Sequence, residues 1–384
     1  MTPKGLDTPG PRPLYILFVF AWIVVGGEET ELRLLARALP RDRYRLKVVG
    51  CFRKENMPTT STEQLQALGV EVDETPYTLS YEDTVAYLAA LIRREQPDVV
   101  VAVQGVRDIY DAYRALDPAE RPPLIEHGGL VDEAAYTAKD FTARYIGVWG
   151  AITAAAAGIM ARPEHAITLP SMVDLDEFNP ADREPVRAEW GFPAGAVVAG
   201  WVGRFDPKKR VEDFLAAAYL AAEADPRLCF VLIGGHDAFF PEYRARLVDE
   251  ATVRLGDRVR FLGDRKDVPR LLSGLDLFVW LSRNEGMPHV VAEAGAAGLP
   301  VIATRDGGTP EQITAGVSGL FVPHEDPPAV ATAIVRLAGD PALRARLGSA
   351  LKAKVAREYA VPVVVAEWRA ILDAVIAERR SGLL

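Results

Sequence analysis

Residues 277–304 of the chain read LFVWLSRNEGMPHVVAEAGAAGLPVIAT, and this stretch decides the fold. Two apolar runs of strand length, Leu277–Leu281 and Val301–Ala303, flank a segment of helical periodicity at Pro288–Ala297. Neighbouring parallel strands need a crossover connection of this kind, usually a helix. The stretch therefore predicts a strand–helix–strand unit of a parallel sheet.

The same alternation runs from Leu14 almost to the C-terminus and falls into two series. The first series of predicted strands comprises Tyr15–Phe20, Leu46–Gly50, Val70–Glu74, Val99–Val103, Leu124–Glu126 and Tyr145–Trp149. The second comprises Val197–Val202, Phe230–Ile233, Val259–Leu262, Leu277–Leu281, Val301–Ala303 and Gly319–Val322. Because 384 residues exceed the size at which one hydrophobic core keeps growing, we expect two α/β domains of Rossmann-like type that face each other across a cleft.

The boundary between the domains is expected around residues 173–195, where a regular pattern is interrupted by Asp174, Pro180, Pro185, Gly191 and Pro193. This division assigns residues 1–173 to an N-terminal domain and residues 174–361 to a C-terminal domain. Residues 362–384 contain an amphipathic helix that extends to about Arg379. We expect its apolar face to pack back on the N-terminal domain.

Composition excludes several classes of protein. The chain is 49% hydrophobic and 25% charged with a net charge of −9, which argues against a general nucleic-acid binder. Two cysteines, Cys51 and Cys229, are too few for a disulfide framework or a cysteine-rich metal site. The apolar stretch Leu14–Val25 is too short to cross a hydrocarbon core of about 30 Å as a helix. We therefore expect a cytoplasmic protein.

Alternating basic residues precede and enter the second predicted strand, at Arg41, Arg43, Arg45 and Lys47. Alternation places these side chains on one face, which meets either water or anionic lipid head groups. Water is the default because the chain as a whole is acidic. Membrane contact is therefore expected to be peripheral at most.

Two carboxylates, Glu285 and Glu293, bracket a Gly-Met-Pro turn that opens a predicted helix. The first amides of a helix have no intrahelical acceptor and suit phosphate oxygens, and Pro288 near the first helical position loses nothing by lacking its N–H. Ionised carboxylates accept hydrogen bonds, for example from sugar hydroxyls. The stretch thus predicts a nucleotide-sugar site. The alternative is an ordinary helix start whose acidic residues complement the helix dipole.

A basic loop, Gly203-Arg-Phe-Asp-Pro-Lys-Lys-Arg210, follows the first strand of the second series. Ligands of open α/β sheets bind at the carboxyl ends of strands. Gly203 allows close backbone approach, Arg204 can bind phosphate through two N–H groups, and Lys209 adds a compact charge. The loop therefore predicts a site that stabilises a departing diphosphate. The alternative is a basic surface loop at a sheet edge.

Two further motifs follow strands of the first series. Gly26-Gly27 lies between the first strand and the next helix, where a glycine pair either binds phosphate or is purely structural. It lacks the third glycine of a dinucleotide fingerprint, so a nicotinamide site is not supported. His127 closes the fifth strand, where it would orient a sugar hydroxyl or support a developing positive charge. The alternative is a histidine without a role in binding.

Together these motifs resemble the retaining, nucleotide-sugar-dependent glycosyltransferases of family four (glycosyl transferases group one), which have the GT-B fold. The family has an early Gly-Gly-x-Glu turn, a Gly-Arg stretch ending in Lys, and a Glu-Gly-x-Pro segment that ends in Ala-Ala-Gly-x-Pro-Val-Ile-Ala-Thr. Here these motifs are Gly26–Glu29, Gly203–Lys209 and Glu285–Thr304. A Gly-Gly-x-Pro-Glu loop of the family matches Gly307–Glu311.

The resemblance implies specific roles. Arg204 and Lys209 would bind the diphosphate, Glu293 the ribose and Glu285 a hydroxyl of the donor sugar, with His127 near the reaction centre. The loop from Gly263 to Lys266, which includes Arg265, would contact the base through its backbone, and Gly26 and Gly27 would approach the donor. The backbone of the turn would hold the donor sugar, through Gly286, Met287, Pro288, His289 and Val290.

The implied activity is transfer of a hexose from a UDP- or GDP-sugar to a hydroxyl acceptor, with retention of anomeric configuration. The acceptor, held by the N-terminal domain, is a saccharide, a lipid-linked saccharide or a small molecule, and the nucleotide sugar is bound by the C-terminal domain. Neither a metal nor another cofactor is expected. Two alternatives remain: a nucleotide-sugar epimerase of related two-domain fold, which needs further acid and base groups near the sugar, and a non-catalytic nucleotide-sugar-binding protein.

Overall fold

The structure is a computed structural model of the chain, and it describes residues 12–24, 26–53, 59–104, 107–237 and 239–383. Contacts divide the chain into two units. The first unit comprises Met1–Gly147, Ala151–Thr168 and Val365–Leu384, and the second comprises Val148–Gly150 and Leu169–Val364. Each unit contains its own parallel sheet.

Within the described residues, the first unit has a seven-stranded sheet in the order β3-β2-β1-β4-β5-β6-β7. Its strands are β1 (Leu14–Phe20), β2 (Tyr44–Gly50), β3 (Glu71–Asp73), β4 (Val99–Val103), β5 (Leu124–Gly128), β6 (Thr142–Gly147) and β7 (Ala166–Thr168). All neighbouring strands are parallel, with Phe20 opposite both Gly50 and Val103. The strand order reverses between β1 and β4.

Helices connect these strands: α1 (Gly27–Ala38), α2 (Thr60–Ala67), α3 (Tyr81–Glu95), α4 (Arg107–Arg114) and α5 (Gly150–Ala157). The longest, α3, begins where the Ser80 hydroxyl accepts a hydrogen bond from the Asp83 amide, and it ends at Gln96 in the left-handed conformation. Its residues Leu88, Leu91 and Ile92 share a core with strands β1 and β4. Burial of this apolar face holds α3 on the sheet.

In the part of the second unit that the structure describes, a six-stranded sheet has the order β10-β9-β8-β11-β12-β13. Its strands are β8 (Val197–Val202), β9 (Leu228–Ile233), β10 (Val259–Phe261), β11 (Leu277–Trp280), β12 (Val301–Thr304) and β13 (Gly319–Val322). Strands β8, β9, β11 and β12 are buried along their whole length, as expected for parallel strands covered by helices. The order reverses between β8 and β11.

The helices of this unit are α6 (Arg183–Trp190), α7 (Val211–Ala224), α8 (Pro241–Leu255), α9 (Val268–Leu272), α10 (His289–Ala296), α11 (Thr309–Gln312), α12 (Pro327–Gly339) and α13 (Pro341–Glu358). The last helix, α14 (Val361–Arg380), places its C-terminal part in the first unit. There, the buried Trp368 indole donates a 3.4 Å hydrogen bond to Glu31, and Arg144 pairs with Glu378. None of the described helices combines the length and apolar character needed to cross a membrane.

Two expectations from the sequence were wrong. The interval 173–195 is not irregular throughout, because α6 forms within it. Val186 and Trp190 lie one helical turn apart and are both buried, and Gly191 ends the helix with a positive φ of 66°. Pro185 lies in the first turn of α6, where its missing N–H leaves no intrahelical hydrogen bond unmade, so the proline is compatible with the helix that packing of these two side chains stabilises.

The expectation that Arg41, Arg43, Arg45 and Lys47 all face water was also wrong, because Lys47 is buried. The Lys47 side chain is only 3% exposed and forms ion pairs with Glu71 at 2.8 Å and Glu95 at 2.9 Å. Its neighbour in the row, Arg45, remains 52% exposed. Lys47 lies inside the parallel sheet on β2, so its charge requires carboxylate partners.

Candidate functional site

The topology of the second sheet brings the two predicted donor motifs to one place. Strand order reverses between the neighbours β8 and β11, and loops diverge at the carboxyl ends of strands at such a point. The loop after β8 carries residues 203–210, and the loop after β11 carries residues 281–288. Both motifs therefore lie at the position where open α/β sheets bind ligands.

The loops after β8, β9 and β10 are joined through close backbone contacts. The Gly203 amide donates to the Ile233 carbonyl at 2.9 Å, and the Gly234 amide donates to the Gly263 carbonyl at 2.8 Å. Gly234 has a φ of 138°, and a Cβ there would lie 1.8 Å from the Gly203 carbonyl oxygen. Only glycine fits this approach, so the glycines keep the loop edge compact.

Lys209 and Glu285 contact each other across the strand-order reversal. The Lys209 ammonium donates to Glu285 Oε1 and lies 5.1 Å from the centroid of the Trp280 ring. The Lys209 and Glu285 side chains are each 16% exposed. Two residues predicted from separate motifs are thus brought together, in a largely buried setting that strengthens their electrostatic interaction.

Arg204 has a different acidic partner. Its side chain is 42% exposed, and Nη1 donates a 2.6 Å hydrogen bond to Oδ2 of Asp237 in the loop after β9. Arg204 thus stands at the solvent-facing edge of the same loop cluster. This exposure leaves room for an anion beside the guanidinium.

Hydrogen bonds from the loop after β12 fix the Glu-Gly-Met-Pro turn. The Glu285 amide donates to Asp306 Oδ1 at 3.0 Å, and the Gly308 amide donates to the Gly286 carbonyl at 2.6 Å. Gly307, which lies between Asp306 and Gly308 in the sequence, has a φ of 51°, and a Cβ there would lie 2.1 Å from the Glu285 carbonyl oxygen. The loop that carries the Gly307–Glu311 motif therefore packs against the turn and holds its backbone in place.

Helix α10 begins directly at the turn. Pro288 precedes its first residue, His289, and the Pro288 carbonyl accepts a 3.0 Å hydrogen bond from Gln312. Amides in a first helical turn lack intrahelical acceptors, and the helix dipole adds partial positive charge there. Glu293 follows His289 by one helical turn and is partly exposed, as are His289 and Val290, whereas Met287 is buried. The arrangement suits an anion beside carboxylates.

The loop proposed to contact the base follows β10. Gly263 has a φ of 66° and open space where a Cβ would lie. Arg265 forms two 2.7 Å hydrogen bonds with the Asp267 carboxylate. The Arg265 guanidinium is thus oriented by its neighbour in sequence, and recognition of a base by this loop stays a prediction.

In the first unit, Gly26 and Gly27 begin α1. Gly26 has an extended backbone, and its carbonyl accepts a 2.9 Å hydrogen bond from the Thr30 hydroxyl. A Cβ on Gly26 would lie 2.7 Å from Glu29 Oε2. That oxygen is the end of a flexible side chain, so packing by itself does not require glycine at this position, and phosphate binding by the pair stays a prediction.

His127 is 4% exposed at the end of β5. Its ring stacks on Trp368 with centroids 5.9 Å apart, and Nδ1 lies 4.0 Å from Glu28 Oε1. Burial raises the pKa of the Glu28 carboxyl well above its usual range, and the charges of Glu133 and Glu29 raise it further. His127 therefore lies in a buried acidic environment, and its proposed catalytic role stays a prediction.

Three residues that organise the site were not predicted from the sequence: Trp280, which lies against Lys209, Asp237, which pairs with Arg204, and Asp306, which accepts from the Glu285 amide. Asp237 and Asp306 follow β9 and β12, which flank β8 and β11 in the sheet. Their positions after strands were a signal in the sequence, but the order of strands in the sheet was needed to place them beside Arg204 and Glu285.

Among the residues that the structure describes, no three His, Cys, Asp or Glu side chains are grouped as metal ligands. Cys51 and Cys229 are both buried free thiols.

Relatives of this chain are found among known proteins. Residues 196–340 match the family described as glycosyl transferases group 1. A D-inositol 3-phosphate glycosyltransferase of Saccharomonospora viridis is 36% identical over 231 residues, which cover 58% of this chain and 52% of the relative. The N-acetyl-alpha-D-glucosaminyl L-malate synthase of Bacillus anthracis is 29% identical over 216 residues, covering 56% and 55%. The chain thus spans about half the length of the curated relatives it matches.

Solved structures resemble nearly the whole chain. Anabaena HepE in complex with UDP and glucose has a TM-score of 0.79 at 22% identity, covering 94% of this chain and 100% of that chain. A glycosyltransferase from Rickettsia africae has a TM-score of 0.79 at 16% identity, covering 95% and 99%. The resemblance and fold expected from the sequence are confirmed: residues 196–340 match the glycosyl transferases group 1 family, and the chain has the GT-B fold with two Rossmann-like units.

Proposed function

We propose that this chain is a retaining glycosyltransferase that moves a hexose from a UDP-sugar to a hydroxyl acceptor. The observation that carries the proposal is the contact between Lys209 and Glu285. One group suits a diphosphate and the other suits sugar hydroxyls, so their contact joins the two recognition elements that a nucleotide sugar requires.

The donor diphosphate binds at Arg204, Lys209 and the first turn of α10. Negative charge develops on the diphosphate as its bond to the anomeric carbon breaks. Preorganised cations and helix-terminal amides stabilise that charge, usually one of the larger contributions to catalysis. Glu285 accepts hydrogen bonds from the donor sugar, and Glu293 accepts them from the ribose. No metal takes part in this proposal.

A uridine donor is proposed because HepE, which shares the fold, was crystallised with UDP and with UDP-glucose. The acceptor is assigned to the first unit and is an alcohol. The names of the two relatives point the same way, because D-inositol 3-phosphate and L-malate both carry free hydroxyl groups.

Retention rests on the resemblance to family four. In the proposed step, the acceptor oxygen bonds to the anomeric carbon on the face from which the diphosphate leaves. The acceptor proton passes to an oxygen of the departing diphosphate, so the charges balance without a protein nucleophile. The anomeric configuration of the product, measured by proton NMR, tests this assignment directly.

The experiment begins with thermal unfolding in the presence of UDP, GDP and ADP, because a ligand that binds only the folded state raises Tm. The preferred UDP-sugar is then incubated with inositol phosphates, hydroxy acids and alkyl glucosides, with and without EDTA. Transfer to a hydroxyl supports the proposal. An epimerised donor without acceptor would instead favour the epimerase, and binding without turnover would favour a binding protein.

A pair of variants sharpens this test. Glu285→Gln is expected to abolish most transfer. Glu250→Gln on α8 is the control, because that carboxylate is 49% exposed and pairs with Arg254 on the same helix. Equal transfer by both variants and the wild type would contradict the role of Glu285.

A further inference from the structure

A buried carboxylate, that of Asp237, is hydrogen-bonded to Arg204 of the proposed diphosphate site. Asp237 is 1% exposed, although it belongs to a loop at the edge of the sheet. Its Oδ2 accepts the 2.6 Å hydrogen bond from Arg204 Nη1, and its Oδ1 accepts a 2.8 Å hydrogen bond from the Phe239 amide. Both carboxylate oxygens are therefore engaged, one by backbone and one by the guanidinium.

Backbone contacts hold Asp237 in place on both sides. The Phe205 amide donates to the Gly235 carbonyl at 2.9 Å, and Phe205 pairs with His236 as an isolated parallel bridge. On the other side, the Phe240 amide donates to the Asp237 carbonyl at 3.1 Å. Arg204 and Asp237 thus stand on two loops that are themselves hydrogen-bonded together. The carboxylate is a fixed reference point for the guanidinium.

The contact leaves one edge of the guanidinium available. Only Nη1 of Arg204 makes a hydrogen bond among the residues that the structure describes. The Nε and Nη2 groups form the other planar edge, which can bind two oxygens of a phosphate at once. Because the Arg204 side chain is 42% exposed, that edge is accessible to a ligand.

We propose that Asp237 is a positioning residue that orients Arg204 so that its Nε–Nη2 edge meets the diphosphate of the nucleotide sugar. The inference rests on the proposed function and adds a residue to it. A free arginine side chain samples many rotamers, and ordering it on binding lowers affinity. The hydrogen bond to Asp237 orders the Arg204 side chain before the ligand binds, so less conformational entropy is lost on binding.

Simple electrostatics predicts the opposite effect, which makes the proposal testable by sign. A carboxylate near an anion site repels the anion, so neutralising Asp237 would tighten diphosphate binding if charge alone mattered. If positioning dominates, the same substitution weakens binding because Arg204 becomes mobile. Asp237→Asn separates the two effects, because the amide keeps the size of the side chain and removes its charge.

The experiment is isothermal titration of UDP into the full chain and its variants. We expect Asp237→Asn and Arg204→Lys each to weaken UDP binding about tenfold, since each loses oriented, two-point recognition of phosphate. The double variant should bind about as weakly as Arg204→Lys alone, because Asp237 acts through Arg204. With a UDP-sugar, KM should rise in Asp237→Asn more than kcat falls.

A matched control lies at the opposite end of β9. Asp225 is 8% exposed and pairs with Arg227 at 2.7 Å, so Asp225→Asn also removes a buried carboxylate from an arginine, but away from the carboxyl edge. UDP binding by this variant should equal that of the wild type. A loss of UDP affinity in Asp225→Asn equal to that in Asp237→Asn would assign the effect to general destabilisation and overturn the proposal.

Two other results would overturn it. One is UDP binding by Asp237→Asn as tight as, or tighter than, that of the wild type. The other is additive losses in the double variant. If Asp237→Asn does not fold, Asp237→Glu serves instead, because it keeps the charge but displaces the guanidinium, and unchanged binding would then contradict positioning. A wild-type chain that binds none of UDP, GDP and ADP would overturn the donor site itself, and with it this inference.

Discussion

Lys209 and Glu285 lie 76 residues apart in the chain and form an ion pair between the loops of two neighbouring strands. Each side chain is only 16% exposed, so both charges have lost most of their hydration. The ion pair between them compensates for that loss. The pair sits at the reversal of strand order, where the sheet topology directs a ligand. Substituting the two residues should therefore have different consequences for UDP, which carries no sugar, and for a UDP-sugar.

The first prediction separates these consequences. Glu285→Gln should lower the rate of transfer at least about tenfold, because an amide accepts hydrogen bonds from hydroxyls less strongly than a carboxylate. UDP should bind this variant as tightly as the wild type or more tightly, since Lys209 loses its competing partner. Lys209→Met should instead weaken UDP itself. Calorimetric titration with UDP and initial rates of transfer measure both, and a loss of UDP affinity in Glu285→Gln would contradict the assignment.

The second prediction concerns the support of the turn. Gly307→Ala places a Cβ at a positive φ and 2.1 Å from the Glu285 carbonyl oxygen, so the turn must move. Gly316→Ala is the control, because Gly316 also has a positive φ but open space where a Cβ would lie. The control should lose only about 1 kcal/mol of stability from backbone strain. Gly307→Ala should lose more and should also bind UDP-sugar less tightly, and equal behaviour of the two variants would refute this support.

The third prediction tests the packing of the last helix on the first unit. Trp368 is 2% exposed and contacts both Glu31 and His127, so Trp368→Ala removes a large buried side chain. The free energy of unfolding of the first unit should fall by about 3–5 kcal/mol. Trp22→Ala is the control, because that indole is 41% exposed. Native-state hydrogen exchange of β1 and β5 reports on this unit alone; unchanged protection in Trp368→Ala would show that the helix contributes little.

The fourth prediction concerns acid stability of the first unit. Burial by itself raises the pKa of Glu95, but hydrogen bonds from Lys47, Tyr15 and Arg94 outweigh it and lower the pKa to about 2. A carboxyl whose pKa is lower in the folded state stabilises the protein above its unfolded pKa, and this contribution is lost as pH falls toward the folded pKa. Glu95 should therefore contribute up to about 3 kcal/mol near pH 7 and progressively less between about pH 4.5 and pH 2.

Urea unfolding of the wild type and Glu95→Gln checks this prediction. The difference in unfolding free energy should be large at about pH 7 and should shrink by about pH 3. Other carboxyls titrate alike in both proteins, so they cancel from the difference. A difference that does not change with pH would mean that the Glu95 charge adds nothing to stability.

Much of the fold could be predicted because hydrophobic periodicity is local. Strands such as Val99–Val103 and Val197–Val202 form where the pattern indicated, and the helix predicted at Pro288–Ala297 is present as His289–Ala296. Helices α2, α6, α11 and α13 were not predicted from this pattern. Their burial depends on tertiary partners, as for Val186 and Trp190 in α6, and α13 follows α12 after the single residue Asp340, which interrupts the pattern very little.

The candidate site was predictable residue by residue but not as pairs. Arg204, Lys209 and Glu285 were found because basic residues and carboxylates follow predicted strands. Their partners required the order of strands in the sheet, which places Asp237 beside Arg204 and Lys209 beside Glu285. The buried setting of His127 could not be predicted, because it depends on Trp368, which lies 241 residues further along the chain.

The most direct measurement of the central claim is a crystal structure of this chain with UDP bound. We predict that oxygens of the diphosphate lie within hydrogen-bonding distance of the Arg204 guanidinium and the Lys209 ammonium, beside the first turn of α10. UDP bound with its diphosphate away from both side chains would contradict the account.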